Sequence, residues 1–199
     1  VRAQGRQLYC AKTRYKQHPL GTPEDSETSF LCAIENLRQR TIGVSYTACV
    51  HAKTDVPGEY IASTSGEYGF YCVTRPDHWA FSGTGLQKGD EFGREDSIVG
   101  VECDGGDIEF VDGIPRFTGL DGISPHYEII AIADAADGGL NRDLGIQQDK
   151  FYSTVAVNET EFKGTVFTAA TIEWAHGLYR NGGPVAQITR NVLDRLGTS

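Results

Sequence analysis

The sequence has no methionine in its 199 residues, and it opens on Val1. Removal of an initiator before a small residue is routine, so position 1 alone means little. The lack of any internal methionine is a separate absence, and together they give the expectation of a piece of something larger: a processed subunit or a segment of a longer precursor. No run of about 18 apolar residues occurs, so no stretch reads as a membrane-spanning helix. No basic segment leading into an apolar core opens the chain, so no signal-peptide pattern is present. Positive charge is also scarce. Eighteen Lys and Arg stand against 27 Asp and Glu, a net charge of −9. Nucleic-acid binding draws on a basic surface that displaces counterions from phosphates. The short basic cluster Lys12-Thr-Arg-Tyr-Lys16 does not outweigh the acidic total and reads as a solvated face. Cysteine is present but unpatterned: five residues, an odd number, with no C-x-x-C pair. That argues against a zinc ribbon. A disulfide framework would leave one thiol over, and a chain of this length needs no covalent staples. The expectation is buried thiols in a reducing, cytoplasmic setting. A catalytic thiolate would need a Cys–His neighbourhood, which the spacing does not reveal.

What is present is a hydrophobic fraction of 39%, enough to build a core, and no linker that would force a second unit. Residues 1–199 are therefore read as a single domain. Strands are expected at Gln7–Lys12, Thr41–Val50, Gly66–Val73, Ser97–Cys103, His126–Ala133, Phe151–Val157 and Gly164–Thr168, from β-branched, aromatic or continuous apolar runs. Ser29–Arg38 reads as a short helix, and the Gly-, Asp- and Asn-rich stretch Asp134–Asp149 as a long loop. Ser82-Gly-Thr-Gly-Leu-Gln-Lys-Gly89 has glycines at the wrong spacing for a dinucleotide fingerprint and reads as a turn. The clearest element is the last. Pro184 suits a first helical turn, and Val185, Ile188, Val192 and Leu196 recur at helical spacing, with Leu193 widening the stripe. Such a helix must lie on a sheet.

The Ser97–Cys103 run ends at an acid, Glu102. A carboxylate at the end of a buried strand has its pKa raised by desolvation, which suits a general acid or base near neutrality. The other reading is a structural acid that caps a helix or pairs with an arginine. His176, in Trp174-Ala-His-Gly-Leu178, follows a strand, where open sheets often carry functional groups. His78 lies between a loop and Trp79-Ala-Phe81. Both histidines are further candidates, set against ordinary packed and hydrogen-bonded roles. Asp104 and Asp107 flank glycines and read as turn residues.

Several ordered pieces resemble a known family: Gly43-Val-Ser-Tyr, Asp77-His-Trp-Ala-Phe-Ser-Gly-Thr-Gly-Leu, Val99-Gly-Val-Glu-Cys-Asp-Gly, Asp112-Gly-Ile-Pro, Gly164-Thr-Val-Phe-Thr-Ala-Ala-Thr-Ile-Glu-Trp-Ala-His-Gly-Leu and Ile188-Thr-Arg-Asn-Val-Leu-Asp-Arg-Leu. Together they span nearly the whole chain and resemble the C-terminal part of the catalytic domain of the N,N-dimethylformamidase large (beta) subunit family. The resemblance implies an α/β fold, a class I glutamine-amidotransferase-like open sheet with flanking helices, here its C-terminal half with β-rich insertions. It implies hydrolysis of a small substituted amide to an amine and a carboxylate. It also implies a mononuclear iron held by two tyrosines and a glutamate upstream of the matched stretch, so no metal ligand is assigned here. Another chain or an upstream half would be the partner, in an oligomer. Glu102 matches the acid of the family's Gly-Tyr-Glu motif. Val101 stands in place of that tyrosine, and Phe167-Thr-Ala-Ala170 in place of Phe-Asn-Ala-Gly. The alternative to an amidohydrolase part is a non-catalytic structural module of a larger assembly.

Overall fold

Ile129, Ile130 and Ala131 form an unbroken apolar run, and all three are fully buried. A strand that buries consecutive residues needs cover on both faces, and this one has it. The computed structural model describes residues 2–4, 7–9, 41–51, 69–99, 103–137, 151–159, 164–179 and 182–197. In chain order the strands are β1 (Arg2–Gln4), β2 (Gln7–Tyr9), β3 (Ser45–His51), β4 (Tyr71–Val73), β5 (Glu91–Phe92), β6 (Cys103–Gly105), β7 (Ile108–Val111), β8 (Ile114–Phe117), β9 (Glu128–Asp137), β10 (Phe151–Asn158) and β11 (Val166–Ala169). The chain's described part ends in helix α1 (Pro184–Gly197). The seven-stranded main sheet runs β11-β10-β9-β3-β6, with β4 also pairing β9 and carrying β5. It is open, and its described pairings are antiparallel.

β9 is the spine. One edge holds β10 from Ala135 down to Glu128; the other holds β4 and, near the far end, β3. The β10 register slips between Val155 and Ala156, which face Ala131 and Ile129, leaving Ile130 as the extra residue of a bulge. The bulge sends Ile130 and Ala131 to the same side. Both join the core under α1, with Tyr71, Phe81, Phe92, Val155, Val157, Val185 and Ile188. Ile129 joins the opposite core with Phe117, Ile123, Tyr127 and Ala156. The Ile130 carbonyl accepts the N–H groups of Thr74 and Arg75, just past the end of β4.

The β7–β8 hairpin closes over the second face, with Phe110 edge-on to Tyr152 at 5.6 Å. Its two-residue turn is Asp112-Gly113, at φ 53° and 73°. Positive φ at both turn positions matches the strand twist, which is why Asp-Gly is favoured there.

Most expected strands are found, with shifted ends. β2, β3, β4, β9, β10 and β11 fall within or across the expected ranges. Ser97–Cys103 is a correction. Arg94–Asp96 forms a 3₁₀ turn that ends at Ser97 in the left-handed region, residues 97–99 are not strand, and the described strand is Cys103–Gly105, with residues 100–102 outside the described residues. Ile98 and Val99 are apolar because they fill the core, not because they extend a strand. Asp104 lies in β6 rather than in a turn, and β9 continues through Asp137 into the stretch read as loop. The turn at Ser82–Gly89 holds, with positive φ at Gly83, Gly85 and Gly89. The expected helix at 29–38 lies outside the described residues.

α1 forms where expected and buries Val185, Ile188 and Val192, but Leu193 and Leu196 are exposed. The stripe narrows because the helix meets the sheet through two aromatic 3₁₀ turns, Trp79–Phe81 and Trp174–Leu178. Asn191 Nδ2 donates to the Ala80 and Ser82 carbonyls at 2.9 and 2.7 Å. The Trp174 indole donates to Thr189 Oγ1 at 3.0 Å. Among the described residues no helix is long and apolar enough to cross a membrane.

Candidate functional site

β11 ends at Ala169, and the residues after it form a junction. The Ala170 carbonyl accepts the Asp104 N–H of β6 at 2.8 Å. Thr171 makes a β-bridge with Cys103. Its hydroxyl donates to the Ile98 carbonyl at 2.7 Å and accepts the Glu173 N–H at 3.2 Å. Thr171 thus ties down the chain on both sides of residues 100–102. Glu102 itself lies outside the described residues, as do Gly100 and Val101. The anchors that flank it, Ile98 and Cys103, are both buried.

Beneath this junction sits a polar group that sequence reading missed. Tyr71 is fully buried, and its hydroxyl lies 2.8 Å from Ser153 Oγ. Ser153, also fully buried, donates to the Ala170 carbonyl at 2.9 Å. Burial, then the nearby Cys103 and Asp104, push the Tyr71 phenol well above its usual range, so it stays protonated and can donate. Nothing in the spacing linked residue 71 to residue 153. The available signal was a serine at the start of the apolar and β-branched run Ser153–Val157 of β10.

His176 lies in the turn Trp174–Leu178, five residues beyond Thr171, half-buried, with its N–H donating to the Glu173 carbonyl. His176 is thus on the same chain segment as Thr171, by sequence adjacency. His78 sits on the other aromatic turn. Its Nδ1 accepts the Ala80 N–H at 3.2 Å, capping that turn, which leaves Nε2 to carry the proton of the neutral ring. Burial lowers its pKa, outweighing the nearby carboxylates Glu128 and Glu159. Beside it, burial would raise the Glu159 carboxyl, but the hydrogen bond and charge of Arg195 hold it below its usual value. Arg195 reaches Glu159 at 2.8 Å and stacks over the Trp79 ring. This cluster holds the C-terminal end of α1 against the sheet. Burial, with the charges of Glu91 and Asp134, raises the Cys72 thiol, the reverse of what a nucleophilic thiolate needs.

A cleft of about 370 Å³ opens between residues 91–96, Gly177 and residues 183–185 at the start of α1. Glu91, Arg94, Glu95 and Asp96 bring charged groups to it, beside the apolar Phe92, Pro184 and Val185. Among the described residues no group of three or more His, Cys, Asp or Glu side chains could hold a metal ion.

These features define a mostly-sheet α/β protein with open sheets and a C-terminal helix. Its candidate acid follows a 3₁₀ turn and precedes a short, well-anchored strand. Residues 2–186 match the family model described as N,N-dimethylformamidase beta subunit-like, C-terminal, and the chain belongs to that family. No curated protein matches the chain.

Proposed function

We propose that the chain is part of an amidohydrolase acting on small N-substituted amides such as N,N-dimethylformamide, releasing amine and formate. The family match over residues 2–186 carries this reading. Thr171 holds Ile98 and Cys103, the described residues on either side of the stretch that carries the acid. Glu102 is the proposed acid/base. As a carboxylate it removes a proton from water as the water oxygen bonds to the amide carbon. As a carboxylic acid it returns that proton to nitrogen as the C–N bond breaks, so the amine leaves neutral. His176 is a secondary candidate on the neighbouring turn and His78 a weaker one, since its Nδ1 already caps a turn.

Iron belongs to the proposal only for the whole enzyme. The described residues offer no ligand set, and no step is assigned to iron through them. We take the ligands to lie in an upstream half or another chain, in an oligomeric, cytoplasmic enzyme with the glutamine-amidotransferase-like class as its wider fold. The test is Glu102→Gln in the intact enzyme, followed by release of amine from N,N-dimethylformamide. Loss of an acid/base group lowers kcat by about 10²–10⁴-fold. An unchanged kcat would identify Glu102 as structural and favour a non-catalytic module.

A further inference from the structure

We propose that His78 is a pH latch on α1: as a neutral ring it caps the turn on which the helix is seated, and protonation of that ring releases the seat. The latch is independent of the Glu102 reading and operates whether or not the chain takes part in catalysis.

His78 stands immediately before the 3₁₀ turn Trp79–Phe81, and its Nδ1 accepts the Ala80 N–H at 3.2 Å. Ala80 is fully buried, so no water replaces the ring if it lets go, and a buried N–H without a partner is costly. The same turn holds the helix. Asn191 of α1 donates from Nδ2 to the Ala80 and Ser82 carbonyls at 2.9 and 2.7 Å. Gln187 Nε2 donates to Asn191 Oδ1 at 2.8 Å, which fixes the way that amide faces. Ala80 therefore links the imidazole to the helix: its N–H is held by His78 and its carbonyl by Asn191. Phe81 anchors the turn in the core, edge-on to Phe92 at 5.9 Å.

A ring nitrogen accepts a hydrogen bond only while it carries no proton. Protonation puts an N–H at Nδ1, pointing at the Ala80 N–H. Two donors then face each other, so the ring turns away and the turn has to shift. Asn191 loses its carbonyls with it. Charged groups on each neighbouring element bear on the ring. Glu128 of β9 and Glu159 beyond β10 favour the imidazolium; Arg195 of α1 and Arg75 of the preceding loop oppose it, and burial opposes it most. Glu159 is itself engaged by Arg195 at 2.8 Å. Arg195 also lies 4.9 Å from the Trp79 ring, which the His78 ring approaches at 5.0 Å. The folded pKa therefore lies below 6.5, and the docked turn binds the proton less readily than a released one. The latch is closed above about pH 6.5 and opens as pH falls through the depressed value.

The experiment follows amide exchange and NMR shifts of the intact protein from about pH 7.5 down to about pH 5, with rates corrected for intrinsic pH dependence and β9 as internal reference. Exchange in α1 from Ile188 to Val192 is expected to quicken about five- to tenfold relative to β9, the scale of one lost hydrogen bond, with the midpoint of the His78 ring. His78→Asn puts a carbonyl oxygen where Nδ1 stands and does not titrate, so exchange should stay slow throughout. His78→Ala removes the cap and should give the fast rate at every pH. Asn191→Ala should uncouple the two, with α1 fast at every pH while the Ala80 amide shift still follows the ring. If a variant does not fold, the unmodified protein decides: coincident midpoints for the ring, the Ala80 amide and α1 support the latch. Exchange in α1 that ignores the ring's midpoint, an acid response that persists in His78→Asn, or slow exchange in His78→Ala would overturn it. No readout here depends on turnover, so the outcome with Glu102→Gln bears on the amidohydrolase reading alone.

Discussion

A methyl group added at Gly105 should damage this protein far more than its size suggests. A Cβ built there would lie 1.9 Å from the backbone oxygen of Tyr152, whereas ordinary contact begins at 3.4 Å. The obstacle is main chain in β10, paired with β9 on both sides of Tyr152, so no flexible side chain can yield. Either β6 lifts away or β10 deforms. Overpacking typically costs about 1–3 kcal/mol, occasionally more, and a backbone obstacle puts Gly105→Ala at about 3 kcal/mol or above. For a chain of this size that corresponds to roughly 6–12 °C in Tm. Gly164→Ala is the control: among the described residues no atom lies within 4 Å of its Cβ position, and its φ is not in the left-handed region. It should be neutral or stabilising by up to about 1 kcal/mol. Thermal and urea unfolding of both variants decide the question. If the two midpoints differ by less than about 2 °C, β6 is not packed against β10 as described.

Two further outcomes follow from the helix and its turns. Ile188→Ala should cost about 2–5 kcal/mol by denaturant unfolding, since Ile188 is fully buried, while Leu193→Ala, 65% exposed, should stay within about 0.5 kcal/mol. A large loss at Leu193 would mean that this face is covered. His78 has its pKa lowered by burial from 6.5, so the folded state binds its proton less readily than the unfolded chain. Its contribution to stability is full above about pH 6.5 and is lost as pH falls toward the depressed folded value. An NMR titration should place His78 below 6.5, and His78→Gln should flatten the acid side of the stability profile; a midpoint at or above 6.5 would refute the burial argument.

Much of the fold was legible because short-range physics writes it into the chain. The run at 129–133 is continuous in its hydrophobicity because β9 is covered on both faces. Pro184 and the spacing of Val185, Ile188 and Val192 mark a helix with one buried side. The Asp112-Gly113 turn was a local signal too, although its hairpin was overlooked for want of a strong apolar alternation: Glu109, Phe110 and Val111 are all exposed. The misreadings share a cause. Ser97–Val99 is as apolar as a strand and as buried as one, but hydrophobicity reports burial, not backbone conformation. Leu193 and Leu196 fit a helical stripe that the aromatic turns leave uncovered.

The candidate site divides along the same line. Sequence by itself determined the family resemblance, the choice of Glu102 and the β-rich, helix-ended character of the chain, because motifs and periodicity are properties of neighbouring residues. Only the tertiary structure decided that Thr171 anchors Ile98 and Cys103 on either side of residues 100–102, that His78 caps a turn, and that Tyr71 and Ser153 meet beneath the junction. Those partners lie between 68 and 82 residues apart along the chain, apart from the local cap at His78. Contacts at that range are set by how β4, β6 and β10 stack around β9, and no local pattern encodes the stacking.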